Sequence, residues 1–275
     1  MGLTVKTPAA VIEATRKAGS AWLAAYREAE AEAPQDPGFA GDFERIDFVE
    51  GMTRSVIDLE GLYLLASTVR PQESVVEVGS FCGRSTVALA CGAQRRERAV
   101  ITVDTHAGDI FQLERLGTQP SSEPVLRFNL AFADVESAVE VLTMTSVEAA
   151  SAYDDPRPIG LLFIDGWHTE EAVVADARAW SAHLAEDPIV VFDDWMMPEV
   201  MAGIRHAEDE GLLPPRLGRL ARHLVFCSRN RVEAVLPRLR TLADLNKPPR
   251  QYLRERASQL VPALAHPVVG PDPIL

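Results

Sequence analysis

A chain of 275 residues with 47% hydrophobic and 24% charged residues holds enough apolar material for a substantial buried core. Its net charge of -13 disfavours nucleic acid and anionic membranes as main partners, because both demand clustered Lys and Arg. Cys82, Cys91 and Cys227 form no CxxC pair and no even framework, and no stretch has a signal-peptide pattern or approaches a membrane span, so a soluble cytoplasmic protein is expected.

In chain order, Thr7-Pro8 followed by Val11, Ile12, Trp22, Leu23 and Tyr26 predicts a capped amphipathic helix. Pro34 to Gly41 reads as a linker, and Thr53 to Thr68 as a second helix. Residues 1–50 are therefore expected to form a helical cap or dimer element, since neither helix buries much alone, and a homo-oligomer is the expected assembly.

Ser74 to Leu89, SVVEVGSFCGRSTVAL, comes next. Val75, Val76 and Val78 suit a buried parallel strand, Gly79 and Gly83 bracket a turn, and Arg84 to Leu89 opens a helix. A strand, a glycine turn and a helix N-terminus let a nucleotide-like ligand approach bare backbone. Glu77 lies inside the strand, where a carboxylate is costly unless something binds it.

Strands and helices then alternate. Ala99 to Val103 is a strand ending at Asp104, and His106 to Pro124 a long polar loop placed to cover a substrate with His106 and Asp109. Val125 to Ala133 reads as a helix, Ala138 to Met144 as a strand and Ser146 to Tyr153 as a helix. Gly160 to Ile164 is a strand ending at Asp165-Gly166-Trp167-His168, followed by a helix from Glu170 to Leu184 that Thr169 can cap. Ile189 to Phe192 is a strand ending at Asp193-Asp194-Trp195; a helix at Glu199 to Glu210 and the run His223 to Cys227 complete the sheet. Residues 231–275 read as a helical extension and tail, leaving 51–230 as the main domain. The alternation predicts an α/β, Rossmann-like and mostly parallel sheet with helices on both faces.

A dinucleotide loop wants G-x-G-x-x-G, yet Ser80-Phe81 stands where the pyrophosphate would touch backbone. An acid in the first strand suits a cation better, such as the sulfonium or amino group of S-adenosylmethionine. Asp104 can accept hydrogen bonds from ribose hydroxyls with either ligand.

Glu77 to Thr86, EVGSFCGRST, resembles the first cofactor motif of class I S-adenosylmethionine-dependent methyltransferases, and most of all the metal-dependent small-molecule O-methyltransferases such as catechol O-methyltransferase. Ile164 to His168 with Phe192 to Trp195 is similar to the macrocin O-methyltransferase and cephalosporin hydroxylase-like group. The resemblance covers roughly Thr53 to Ser228 and implies the class I methyltransferase sheet. It implies S-adenosyl-L-methionine contacts at Glu77, Gly79, Ser80, Phe81, Gly83, Ser85, Asp104, Ser146 and Asp165.

In the usual methyltransferase strand order, Asp165, Asp193 and Asp194 converge beside the sulfonium, and converging carboxylates repel unless a cation or proton is shared. An all-oxygen set favours Mg2+ or another hard divalent ion. Similar enzymes place a metal on the equivalent acids, and they carry a lysine base where this chain has His168. The resemblance thus implies Asp165, Asp193 and Asp194 as metal ligands, and His168 with Asp165 as the catalytic pair acting on a small-molecule hydroxyl acceptor. Trp167 and Trp195 would wall the acceptor, while Cys82 lines the turn and Arg84 stays peripheral. A cephalosporin hydroxylase-like oxidoreductase component, a nicotinamide-dependent dehydrogenase and a non-catalytic cofactor-binding protein are the competing readings.

Overall fold

The computed structural model describes residues 36–48, 56–97, 99–107, 121–214, 217–219, 223–228 and 230–245. The helix expected over Val11 to Tyr26, most of the loop after His106 with its Asp109, and the tail beyond residue 245 lie outside them.

The stretch read as a linker is instead the start of a helix, α1 (Pro37–Phe48). Asp36 caps it: Oδ1 accepts from the amides of Gly38 at 2.9 Å and Phe39 at 3.1 Å. Pro37 supplies the fixed φ of a first helical residue, so the prolines and glycines of this segment mark a helix entry rather than a break. Helix α2 (Val56–Ser67) is buried almost all round, with Tyr63 and Ser67 the only positions not fully buried.

The sheet comprises β1 (Ser74–Val78), β2 (Val100–Val103), β3 (Val139–Leu142), β4 (Ile159–Ile164), β5 (Leu184–Phe192), β6 (Leu217–Arg219) and β7 (Val225–Cys227). Their spatial order is β3-β2-β1-β4-β5-β7-β6, with β7 alone antiparallel to its neighbours β5 and β6. The expected mostly parallel α/β sheet is present. β6 escaped the sequence reading, and β5 begins five residues before the expected Ile189. Its early part pairs irregularly: Ile159 faces Leu184 but Leu161 already faces Ile189, the extra residues including Pro188, which cannot donate to a ladder.

Helices α3 (Arg84–Gly92), α4 (Glu123–Phe132), α5 (Ser146–Ser151), α6 (Glu170–Ser181), α7 (Pro198–Asp209) and α8 (Leu236–Leu245) complete the described elements. Alternation along each strand splits the core between the two sheet faces. Val75, Leu161, Phe163 and Val191 pack with α1, α2, α3, α4 and α8, while Val76, Val78, Leu162, Ile164 and Phe192 pack with α5, α6 and α7.

The segment after residue 230 joins the first of these cores through Val232, Leu239 and Leu242. Two buried ion pairs fasten it: Arg238 reaches Glu60 of α2 at 2.7 and 2.9 Å, and Arg231 forks onto Glu73. Glu60 is 0% exposed and Glu73 3%, so each guanidinium offsets a charge that could not stay in the interior alone. No helix among the described residues is long and apolar enough to cross a membrane.

Candidate active site

Parallel strands bring their C-terminal ends to one sheet edge, and strand order reverses between β1 and β4, where a crevice opens. Main-chain hydrogen bonds align the residues one step beyond each strand: Gly79 N donates to Val103 O, Asp104 N to Leu142 O, Asp165 N to Val78 O and Asp193 N to Ile164 O. Gly79, Asp104, Asp165 and Asp193 therefore share that edge, with the β4 end between those of β1 and β5.

The turn after β1 is built from unusual backbone. Gly79, Phe81 and Gly83 have φ of 90°, 47° and 89°. A Cβ on Gly79 would stand 2.0 Å from the carbonyl oxygen of Asp165, and one on Gly83 2.4 Å from Leu126 Cδ1. Asp104 fixes the middle of the turn, its Oδ2 accepting from the amides of Ser80 at 3.0 Å and Phe81 at 2.8 Å. Its Oδ1 accepts from His106 N at 2.7 Å. Helix α3 then starts at Gly83 without any side-chain cap, which leaves its positive N-terminal end to a ligand. A ligand with a carboxylate at one end and a cation beyond it, as S-adenosylmethionine has, fits a bare helix start set in an acid-rich edge.

Glu77 lies on the sheet face that meets α3. It is 0% exposed, and Oε2 accepts from Thr86 Oγ1 at 2.5 Å and Thr102 Oγ1 at 2.7 Å. Burial pushes its carboxyl up to about 7, against the hydroxyls of Ser85, Thr86 and Thr102, which favour the charged form. Glu77 thus ties β1, β2 and the first turn of α3 together beneath the glycine turn. A raised native pKa means the folded state binds the extra proton, so stability is lost as pH rises from about 4.5 to about 7 and levels off above. Glu77→Gln should flatten this slope in urea denaturation by up to about 3 kcal/mol between pH 5 and pH 8; an unaltered slope would reassign the carboxylate.

Ser146 and His106 are each engaged by a neighbouring side chain. Thr145, not Ser146, caps α5 in a capping box with Glu148, while Ser146 Oγ accepts from Trp180 Nε1 at 2.9 Å. Asp176, buried behind Gly166 and pushed up to about 6 by that burial, also hydrogen-bonds Ser146. His106 is buried, with Nδ1 2.8 Å from Ser122 Oγ, and burial lowers its pKa.

The acids at the ends of β4 and β5 do converge. Asp165 and Asp193 are hydrogen-bonded to each other, and both carboxyls are pushed well above the usual carboxylate range. Burial is the larger cause for each; the charge of Glu77 adds to Asp165, and that of Asp165 to Asp193. Asp194 follows with φ 46°, and its carboxylate lies 3.5 Å from His168 Nε2. That nitrogen is also 3.7 Å from Asp165 Oδ1, so His168 stands between two acids without hydrogen-bonding either. Two carboxyls that resist joint ionisation suit a hard divalent cation in donor chemistry. Among the described residues, however, no group of three or more His, Cys, Asp or Glu is arranged so that it could hold a metal ion. Trp167, two residues after Asp165 in the chain, is 53% exposed.

Two further residues belong to this edge and escaped sequence reading. His223 Nδ1 is 2.9 Å from Oδ2 of Asp58, a first-turn residue of α2 that is 1% exposed. The Asp58 hydrogen bond raises the His223 pKa, and the charges of Asp58, Asp193 and Asp194 raise it further, against desolvation. The two residues stand 165 positions apart, and the β5–β7 pairing brings His223 to the acids.

Comparison with known proteins agrees with this geometry. The model of a family described as a methyltransferase domain matches residues 76–195, which span the glycine turn and all three acids. Among solved structures, the cofactor-bound protein Rv0187 from MTB aligns at a TM-score of 0.52 with 22% identity, over 76% of this chain and 96% of that one. An O-methyltransferase from Bacillus cereus in complex with SAH aligns at 0.52 with 16% identity, over 77% and 100%. The O-methyltransferase NovP aligns at 0.52 with 18% identity, over 64% and 81%. These likenesses establish the shared fold, and the match of residues 76–195 to a methyltransferase-domain model falls on the glycine turn and the acids of this edge.

Proposed function

We propose that the protein is an S-adenosylmethionine-dependent O-methyltransferase that acts, with Mg2+, on a hydroxyl group of a small molecule. The observation that carries this reading is the pair Asp165–Asp193 beside the β1 glycine turn. An edge that crowds acids next to a sulfonium site is built for a hydroxyl that must lose its proton. Two of the fold neighbours are named O-methyltransferases, which supports oxygen as the acceptor atom. The exposed Trp167, two residues after Asp165 in the chain, supports an acceptor with a flat or apolar face, such as a diphenol or a glycosylated natural product.

The donor supplies a methyl group on a positively charged sulfur. Asp165, Asp193 and Asp194 would hold the metal ion, which would lower the pKa of the acceptor hydroxyl. The chain's own residues do the rest. The Ser80 and Phe81 amides, held by Asp104, keep the donor loop fixed, and α3's N-terminus receives a carboxylate. His168 Nε2 takes the acceptor's proton. Positioning and electrostatics supply most of the acceleration.

A labelled-methyl assay tests the reading, run over catechol, 3,4-dihydroxybenzoate, phenyl rhamnoside and phenyl glucoside, with Mg2+ and with chelator. Labelled ether product that disappears in chelator is expected; full turnover in chelator removes the metal, and no ether from any compound removes the hydroxyl acceptor. His168→Ala should lower kcat by about 10²- to 10⁴-fold while leaving the cofactor Kd in place. Unaffected turnover would take the base assignment away.

A further inference from the structure

The geometry points to His223, held on Nδ1 by Asp58, as an acceptor-binding residue whose Nε2 hydrogen-bonds an acceptor oxygen other than the one being methylated. This rests on the hydroxyl-methylating reading above and adds a residue that lies outside the matched domain.

Placement comes first. β7 runs antiparallel to β5, with Val225 opposite Phe192, so the residues entering β7 arrive where those leaving β5 depart. The amide of Trp195 donates to the carbonyl of His223 at 3.4 Å, which sets the imidazole beside Asp193 and Asp194. Both of those acids act on its ring, and Asp194 lies 3.5 Å from His168 as well. The acid cluster therefore has one histidine on the β4 side and another on the β7 side.

Orientation comes second. Asp58 is 2% exposed at its side chain, and His223 is 41% exposed. A half-open imidazole fills no core space, so a buried carboxylate held to it secures little packing. What the contact does secure is direction. With Nδ1 at 2.9 Å from Asp58, the ring can no longer turn, and Nε2 is left on the far side of the ring from α2. Asp58 acts through His223 and is a positioning residue.

Kinetics should separate this role from a structural one. With the panel compound that the wild type methylates fastest, His223→Ala should raise the acceptor KM about 10- to 100-fold and change kcat only a few-fold. The Kd for S-adenosylhomocysteine by calorimetry should stay the same. His223→Gln, which keeps a donor, should recover most of the affinity, and Asp58→Asn should raise KM in the same direction. An unchanged acceptor KM in His223→Ala, or an equal loss of cofactor affinity, overturns the proposal.

A second readout needs no turnover. In wild-type protein saturated with S-adenosylhomocysteine, the ¹⁵N signal of His223 Nε2 should move when catechol or phenyl rhamnoside is added with Mg2+. No movement with any panel compound overturns the assignment. Movement without ether formation sustains it and counts against methyl transfer alone.

Discussion

Asp165→Asn is expected to lower turnover by about 10²- to 10³-fold and at the same time to raise stability at pH 8. Asp165 and Asp193 share a half-buried edge: desolvation penalises both, the charges of Glu77 and Asp194 add to the penalty on Asp165, and that of Asp165 adds to the penalty on Asp193. Because both carboxyls have raised native pKa values, the folded state binds protons that the unfolded chain releases. Stability therefore declines as pH rises above the unfolded carboxylate range near 4, until both groups are ionised. Removing one of the two charges relieves the other, so the variant should unfold at higher urea concentration than the wild type at pH 8 in chelator. The difference should vanish near pH 4, where both proteins carry neutral carboxyls. Mg2+ should stabilise the wild type and have little effect on the variant. A variant with full activity, or one less stable than wild type at pH 8, would show that Asp165 is an architectural residue.

Gly79→Ala should be the most destructive glycine-to-alanine change among the described residues, costing about 4 kcal/mol or more and abolishing cofactor binding. The added Cβ would meet the Asp165 carbonyl oxygen at 2.0 Å and its carbon at 2.6 Å. Both belong to backbone, so no side chain can swing aside. Relief would require β1 and β4 to part where Asp165 N holds Val78 O at 2.8 Å. The φ of 90° adds strain of its own. Gly211→Ala is the control, since Gly211 also has positive φ, 73°, but nothing lies within 4 Å of its Cβ position. It should cost only about 1 kcal/mol, the conformational part alone. Urea denaturation of both variants, with calorimetry for S-adenosylmethionine, separates collision from strain. Equal losses would refute the close-approach argument.

The central strands were legible because parallel strands covered on both faces read as unbroken apolar runs, as in Val75–Val76 and Leu161 to Ile164. Their acidic ends were legible too, since the fold dictates that all such ends meet at one edge. α1 was misread because Asp36-Pro37 announces a helix in the same residue types that announce a turn. Ser146 Oγ accepts from a buried indole 34 positions away, a contact with no local mark in the sequence. Glu77 was expected to face the donor, and the hydroxyls of Thr86 and Thr102 occupy one of its oxygens. Asp58 and His223 carried no local signal at all. A pair formed across half the chain is a product of topology, which spacing along the sequence does not encode.

The ion pairs Arg238–Glu60 and Arg231–Glu73 bear on how this scaffold could be re-engineered. α2 carries Asp58 at one end of its buried face and Glu60 just beyond, so a transplant of the N-terminal helices from another enzyme would arrive without its counter-charge. Helix α8 must travel with them as one cassette, together with the β7 entry that bears His223. Shuffling at the boundary after β7 would separate halves that are electrostatically a single part.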